Sequence, residues 1–209
     1  MRTVVVIPMK DAAVSKTRLA PAMPAVQRER MALALFRRAL DFFGAQFPRF
    51  ERLVVTPSAR IGEVARACGA SVLMEGEPAG LNPAVASAFA WARQAGFERM
   101  LVVPGDIPVW LRSELDELLQ EGASSPVVIA RAHDGGTNAL LIDLKRAARF
   151  DFHYGSDSAS RHAQAAQAAG LSAMTRTWPF LSRDIDTADD CLLFKPSLEI
   201  LTNGCDHAS

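Results

Sequence analysis

The chain lacks an excess of charge of either sign, because Lys plus Arg and Asp plus Glu each number 23 in 209 residues. Without a net charge, the protein has no overall electrostatic attraction to nucleic acid or to an anionic membrane, and we expect neither as a partner. Hydrophobic residues make up 49% of the chain, yet no apolar run approaches the ~20 residues of a membrane span. With no secretory signal ahead of the first predicted strand, the sequence predicts a cytoplasmic protein.

Cysteine is scarce, and several well-known catalytic motifs are missing. Cys68, Cys191 and Cys205 lack CxxC spacing, which excludes a disulfide framework or zinc site and fits a reducing compartment. Neither the GxxxxGK[ST] phosphate loop nor the GxGxxG dinucleotide fingerprint occurs. The GxSxG elbow is also missing, so hydrolase chemistry has no support.

Strand and helix patterns alternate through the first half of the chain. The predicted strands lie at 2–7, 52–56, 71–74, 100–103, 126–130 and 138–143. Helical periodicity between the first four strands predicts a mostly parallel sheet with helices on both faces. The last two strands are closer together and predict an antiparallel addition. We expect one α/β domain over residues 1–196, followed by a C-terminal tail at 197–209.

Two capping patterns predict helix starts in the middle of the chain. Asn82 precedes Pro83, so asparagine would cap a helix whose first residue is proline. Ser113 and Asp116 have the spacing of a capping box.

Asp106 follows a short apolar strand that ends at Pro104-Gly105. The carboxyl ends of parallel strands are where open α/β sheets bind ligands. A carboxylate carried there on a rigid strand is suited to hold a hard cation and, through it, a phosphate. The alternative is a turn residue, since Gly-Asp is common in turns.

The loop after the first strand carries three cations, Lys10, Lys16 and Arg18. It lies at the same sheet edge as Asp106 in the predicted fold. Flexible ammonium groups and a guanidinium that binds two oxygens at once suit a triphosphate. The alternative is a solvated basic loop.

Two glycine-containing turns follow in the second half. Asp134-Gly-Gly-Thr-Asn138 leaves backbone donors open beside a hydroxyl and an amide, or is simply a hairpin turn. Gly155-Ser-Asp-Ser158 precedes a predicted helix, where free amides form an anion site or a Ser or Asp caps the helix. His162, in the first turn of that helix, is expected to be structural.

The stretch PMKDAAVSKTRL, at 8–19, resembles the opening loop of the 2-phospho-L-lactate guanylyltransferase family, with Thr17 in place of the family's serine. Similar stretches follow in the family's order: GLNPA (80–84), PGDIP (104–108), DGGTNALL (134–141), YGSDSASRH (154–162) and DIDTADD (184–190). The resemblance spans nearly the whole domain. It implies a Rossmann-like, three-layer α/β/α nucleotidyltransferase of the glycosyltransferase-A-like type, with a mixed, mostly parallel sheet.

The resemblance also implies a reaction. GMP from GTP would be joined to 2-phospholactate, phosphoenolpyruvate or 3-phosphoglycerate, with magnesium as cofactor and pyrophosphate released, in biosynthesis of the deazaflavin coenzyme F420. A related transferase acting on a pterin cofactor or phosphosugar, and a non-catalytic nucleotide-binding module, are the alternatives. The glycine-rich opening of the pterin enzymes is absent, and a sensor does not need paired metal ligands. The oligomeric state is left open, a homodimer included.

Site roles follow from the same resemblance. The metal ligands are Asp106 and Asp186, with Asp184 as the alternative second ligand, although Asp186 or Thr187 could instead cap a final helix in a box closed by Asp190. The catalytic residues are Lys16, Arg18 and Asp106. The nucleotide-binding residues are Pro8, Lys10, Lys16, Arg18, Gly80, Leu81, Asn82, Pro104 and Asp106. The acceptor-binding residues are Thr137, Asn138, Gly155 and Ser158.

One departure from the family affects the acceptor region. Family members commonly carry Gly-Pro-Gly-Ser-Phe where this chain has Gly155-Ser-Asp-Ser-Ala159. Asp157 thus replaces a glycine beside an expected anion site, where its carboxylate would repel an acidic substrate unless it turns away.

Overall fold

A single mixed sheet organises the part of the protein that the computed structural model describes, residues 1–76 and 80–194. The strands are β1 (Thr3–Pro8), β2 (Glu51–Thr56), β3 (Ser71–Met74), β4 (Arg99–Val102), β5 (Val127–Arg131), β6 (Thr137–Asp143) and β7 (Ala173–Arg176). The helices are α1 (Ala25–Gln46), α2 (Ala59–Ala67), α3 (Leu81–Gln94), α4 (Arg112–Ser124), α5 (Ser158–Ala168) and α6 (Ala188–Leu193). Short 3₁₀ turns occupy Ala12–Val14 and Thr17–Leu19. The predicted tail and Cys205 lie outside the described residues.

The strand order β3-β2-β1-β4-β6-β5-β7 confirms a mixed, mostly parallel sheet. Strands β1, β2, β3 and β4 are parallel, and β7 is parallel to β5. Strand β6 is antiparallel to both of its neighbours, β4 and β5. Because β6 runs in the opposite direction, its first residues lie at the edge where β1 and β4 end.

Helices cover both faces of the sheet, which gives the expected three layers. Within β1, Val5 and Ile7 pack into the core shared with α1, α2 and α4. Val4 and Val6 pack into the opposite core, with α3 and α5. The same alternation in β4 confirms that this strand is buried on both faces, because side chains along a strand alternate in direction. No helix in the described ranges has the length and apolar composition needed to cross a membrane.

Two predicted helix caps are wrong, one because a distant contact replaces the local one and the other because the acid pairs with a neighbour in its own helix. Helix α3 begins at Leu81 with Gly80 at the cap position in a left-handed conformation (φ 101°). Asn82 lies inside the first turn, where its amide bonds to the backbone of Tyr154. The predicted Ser113–Asp116 box is also absent, and Asp116 instead accepts from Arg112 at 3.3 Å.

The predicted turn at 134–136 and the predicted capping box at 187–190 are confirmed. The Asp134-Gly-Gly136 segment forms the turn of the β5–β6 hairpin, with Gly135 at φ 92°. Helix α6 begins with the capping box of Thr187 and Asp190.

A buried carboxylate on α4 fixes the segment that leads to the acidic C-terminal motif. Glu114 is only 6% exposed. Its two oxygens accept from the backbone amides of Phe180 (3.0 Å) and Leu181 (2.7 Å). Hydrogen bonds to a charged acceptor each contribute about 1.5–3 kcal/mol. This contact therefore anchors the chain a few residues before Asp184 and Asp186.

We expect Glu114→Ala to lower the free energy of unfolding by about 2–4 kcal/mol, because both amides lose their acceptor. Asp116→Ala, on the same helix but exposed, is the control and should change it by less than about 0.5 kcal/mol. Urea denaturation of the two variants measures the difference. Equal, small effects would show that the Glu114 contact does not anchor this segment.

Candidate active site

The ends of β1 and β4, the start of β6 and a segment from the C-terminal part of the chain meet at a single edge of the sheet. The loop after β1 carries Lys16, the turn after β4 carries Asp106, and β6 begins at Thr137. The segment containing Asp184 and Asp186 joins them, because the amide of Ile185 donates to the carbonyl of Asp106 at 3.2 Å. The fold thereby places acids, cations and hydroxyls from distant parts of the chain side by side.

Lys16 is at the centre of this cluster. Its side chain is 5% exposed, its Nζ bonds to Oδ2 of Asp106, and Oδ1 of Asp186 lies 3.9 Å away. Its backbone is left-handed (φ 56°), which costs a non-glycine residue roughly 1–2 kcal/mol. Such strain is concentrated at functional sites. The alternative of a solvated loop is wrong for Lys16.

The other two predicted phosphate cations are accessible. Arg18 is 73% exposed and donates to Oδ2 of Asp186 at 2.6 Å. Lys10 is exposed and lines the same cleft. The site thus combines one buried cation with two that reach it from solvent.

Burial and charge set the ionisation of the cluster. Burial alone disfavours the Lys16 ammonium, but the carboxylates of Asp106, Asp186 and Asp184 outweigh it and raise the Lys16 pKa above its usual value. Burial and the charge of Asp106 raise the pKa of Asp184 to about 6, although Asn138 and Lys16 act in the opposite direction. The cation therefore stays charged at neutral pH, while the raised pKa makes Asp184 harder to ionise than an ordinary aspartate.

The acidic side chains are better suited to hold a metal ion together with the phosphates of a nucleotide than to bind a metal ion on their own. The described residues hold no group of three or more His, Cys, Asp or Glu side chains arranged for a metal. Among the same residues, however, Oδ1 of Asp106 is buried without a hydrogen-bond partner. Magnesium is commonly bound by one or two carboxylates plus substrate phosphates. Asp106 has that open oxygen, whereas Asp184 Oδ1 accepts from Asn138 Nδ2 at 3.2 Å and Asp186 Oδ2 accepts from Arg18 at 2.6 Å.

A cleft of about 570 Å³ opens beside this cluster. That volume is within the range of small-molecule sites. The predicted nucleotide residues that line it are Pro8, Lys10, Lys16, Gly80, Leu81, Pro104 and Asp106. Arg18 and Asn82 are not among its lining residues. Sequence reasoning missed Glu75, whose pKa burial raises, although its position directly after β3 points to this edge.

Asn82 joins the nucleotide side of the cleft to the predicted acceptor loop. Its Oδ1 accepts from the amide of Tyr154 at 2.6 Å, and its Nδ2 donates to the carbonyl of Tyr154 at 3.3 Å. Each end of the amide thus makes one bond, while Nδ2 keeps a second hydrogen and Oδ1 a second lone pair. A contact between Asn82 and the nucleotide stays a prediction.

The predicted acceptor residues surround the start of β6 and of α5. Ser158 Oγ lies 3.1 Å from Thr137 Oγ1, and both side chains are buried. Asn138 faces Asp184 and so connects this region to the acid cluster. Gly155 is exposed, and its φ of 121° favours glycine at that position.

Asp157 keeps a left-handed backbone (φ 53°) at the position where the family has glycine. It occupies the cap position of α5 but makes no capping bond with its side chain. Its Oδ1 instead lies beside Gly135, so close that a Cβ there would approach it to 2.9 Å. The carboxylate therefore rests against the hairpin turn.

Comparisons with known proteins identify the family of the chain. The family model described as "Guanylyl transferase CofC like" matches residues 3–208. A 3-phospho-D-glycerate guanylyltransferase of Colwellia psychrerythraea is 40% identical over 213 residues, covering 100% of both chains. A phosphoenolpyruvate guanylyltransferase of Mycobacterium sp. (strain KMS) is 36% identical over 193 residues, covering 90% of this chain and 84% of the relative.

A solved structure shares the fold. A nucleotidyl transferase from Methanothermobacter thermautotrophicus superposes with a TM-score of 0.69 at 16% identity, covering 96% of this chain and 98% of the other. This similarity confirms the expected nucleotidyltransferase architecture of the glycosyltransferase-A-like type.

Buried His162 makes the stability of the folded protein depend on pH. Burial, His153 and Arg161 lower the pKa of His162 to about 4, so the folded protein takes up its proton less readily than the unfolded chain. Stability is therefore lost as the pH falls from about 6.5 towards 4. We expect His162→Gln to remove about 2–3 kcal/mol of this loss between pH 7.5 and 4.5.

Urea denaturation at several pH values measures this effect. Exposed His133, replaced by glutamine, is the control and should leave the wild-type pH profile unchanged. Parallel profiles for wild type and His162→Gln would contradict a neutral buried imidazole.

Proposed function

Because the chain belongs to the CofC-like guanylyltransferase family, we propose that it transfers GMP from GTP to the phosphate of a small phosphorylated carboxylic acid. The acceptor phosphate oxygen attacks the α-phosphorus of GTP, the bond to the β-phosphate oxygen breaks, and pyrophosphate leaves. The observation that carries the proposal is the buried Lys16 ammonium held between Asp106 and Asp186 at the mouth of the cleft.

The cations of the first loop bind the triphosphate in this proposal. Lys16 offers a charge that its surroundings keep protonated, while Lys10 and Arg18 approach from solvent. A guanidinium can contact two phosphate oxygens at once. Positioning and charge neutralisation supply most of the acceleration in phosphoryl chemistry.

Magnesium is the cofactor we propose, held by Asp106 and Asp186. When bound, it neutralises charge on the phosphates of the nucleotide. Within the part of the chain that the structure describes, Oδ1 of Asp106 has no hydrogen-bond partner, which supports this assignment. No strong general base is needed, because a phosphate monoester is already largely ionised near neutral pH, with a second pKa of about 6.

The acceptor lies, in this proposal, against Thr137, Ser158 and the loop at Gly155. The buried Thr137 and Ser158 hydroxyls suit a phosphate or carboxylate oxygen, whereas the amides of Ser158 and Ala159 at the start of α5 already donate to the carbonyls of Gly155 (3.2 Å) and Gly135 (3.3 Å). We propose a three-carbon phosphorylated acid, with 3-phospho-D-glycerate tested first because the relative of that name aligns over the whole chain. The product would enter deazaflavin coenzyme F420 biosynthesis.

Pyrophosphate release tests the proposal directly. GTP, CTP and ATP are each combined with 3-phospho-D-glycerate, phosphoenolpyruvate, 2-phospho-L-lactate or no acceptor, with magnesium and with a chelator. We expect release only with GTP, one of the acids and magnesium. Binding of GTP without release in any combination would instead support a non-catalytic nucleotide-binding module.

Asp106→Asn tests the metal assignment. We expect turnover to fall by at least about 100-fold, because an amide cannot replace the carboxylate charge. Thermal unfolding should stay cooperative but shift to a lower temperature, because buried Lys16 then keeps only Asp186, at 3.9 Å, as a charged partner. Asp189→Asn, which changes an exposed acid in the first turn of α6, is the control and should retain full activity. Full turnover by Asp106→Asn with magnesium would show that the assignment is wrong.

A further inference from the structure

A fully buried histidine, His162, contacts one of the two hydroxyls in the predicted acceptor region. His162 has 0% exposure and lies 3.0 Å, through Nδ1, from Oγ1 of Thr137. On its other side, Nε2 lies 2.9 Å from the backbone nitrogen of His153. Tyr154 packs edge-on against the ring, with centroids 4.7 Å apart. The imidazole is thus held at both nitrogens and on one face.

These contacts determine which nitrogen carries the proton. The amide of His153 can only donate, so Nε2 must accept and therefore has no hydrogen. A neutral ring then carries its hydrogen on Nδ1, which donates to Thr137 Oγ1. Protonating the ring would place an Nε2–H against the His153 N–H, which is two donors facing each other. The lowered pKa of His162 agrees with a neutral ring.

The Thr137 hydroxyl is consequently left with only its hydrogen available for a further hydrogen bond. Thr137 Oγ1 accepts from His162 Nδ1, and Ser158 Oγ donates to the same oxygen at 3.1 Å. A hydroxyl has two lone pairs and one hydrogen. With both lone pairs used, Thr137 can only donate to a further partner. A group that accepts but never donates, such as a phosphate or carboxylate oxygen, matches that hydroxyl.

We propose that His162 is a positioning residue that fixes the Thr137 hydroxyl as a hydrogen-bond donor to an anionic oxygen of the acceptor. The inference rests on the proposed function for the identity of the acceptor. In this proposal His162 contributes to acceptor recognition although it is fully buried. Because His162 acts through Thr137, it affects the acceptor and not the nucleotide.

The first experiment reads the tautomer in the wild-type protein without substrates. Nitrogen-15 NMR of histidine-labelled protein at pH 7 distinguishes a protonated from an unprotonated ring nitrogen. We expect a neutral His162 with hydrogen on Nδ1. A hydrogen on Nε2, or a charged ring, would overturn the proposal whether or not the protein is a guanylyltransferase.

The second experiment measures steady-state kinetics with GTP and the acid that supports turnover. His162→Phe keeps a ring but loses both bonds, and we expect kcat/KM for the acid to fall about tenfold while the KM for GTP changes less than about twofold. His162→Gln retains a donor and an acceptor and should recover most of this loss. His153→Phe is the matched control, because its side chain is exposed and its backbone amide remains.

A double-mutant cycle with Thr137→Val separates positioning from general destabilisation. If His162 acts through the Thr137 hydroxyl, His162→Phe should lower kcat/KM less than about twofold further in the Thr137→Val background. Fully additive losses, or a loss shared equally by the acid and GTP, would overturn the inference. An absence of transfer by the wild-type protein would overturn the proposed function instead, while the NMR result would still decide the tautomer.

Discussion

A buried ammonium group must have carboxylates around it, and this requirement organises the functional edge of the protein. The side chain of Lys16 is 5% exposed, and removing an isolated charge from water costs several kcal/mol. Asp106 and Asp186 offset that penalty, although one follows β4 and the other comes from the C-terminal segment. The first loop, the central strand and the end of the domain are therefore held together by one cation, and the same groups face the cleft.

The reversed direction of β6 is the second constraint. A strand of this length spans about 20 Å, at roughly 3.3 Å per residue. In a parallel orientation, Thr137 would lie at the opposite edge of the sheet from Asp106. Running antiparallel to β4, the strand instead begins beside the site and allows Asn138 to reach Asp184. The hairpin turn at Gly135 makes this reversal possible and also provides the surface against which Asp157 rests.

Local patterns predicted well wherever the residues that compete for a hydrogen bond are neighbours in sequence. The hairpin turn and the Thr187–Asp190 capping box are of this kind, whereas the strands were predicted from hydrophobic periodicity. Prediction failed at Asn82, where a partner far along the chain replaces the local one, and at Ser113, where Asp116 pairs with Arg112 in the same helix instead. The backbone of Tyr154 takes the Asn82 amide. The family resemblance singled out segments that the fold brings to one edge of the sheet, but it did not state which groups within them bond to each other.

The amino-acid sequence by itself determined the α/β class, the strand ends that carry acids and cations, and membership of the family, because these follow from periodicity and from motifs in order. Only the tertiary structure decided that Lys16 is buried while Lys10 and Arg18 stay accessible. It also decided that, within the described residues, one buried oxygen of Asp106 has no hydrogen-bond partner and that His162 contacts Thr137. Burial and the direction of a hydrogen bond depend on neighbours brought from remote parts of the chain, and these neighbours are defined only once the sheet has formed.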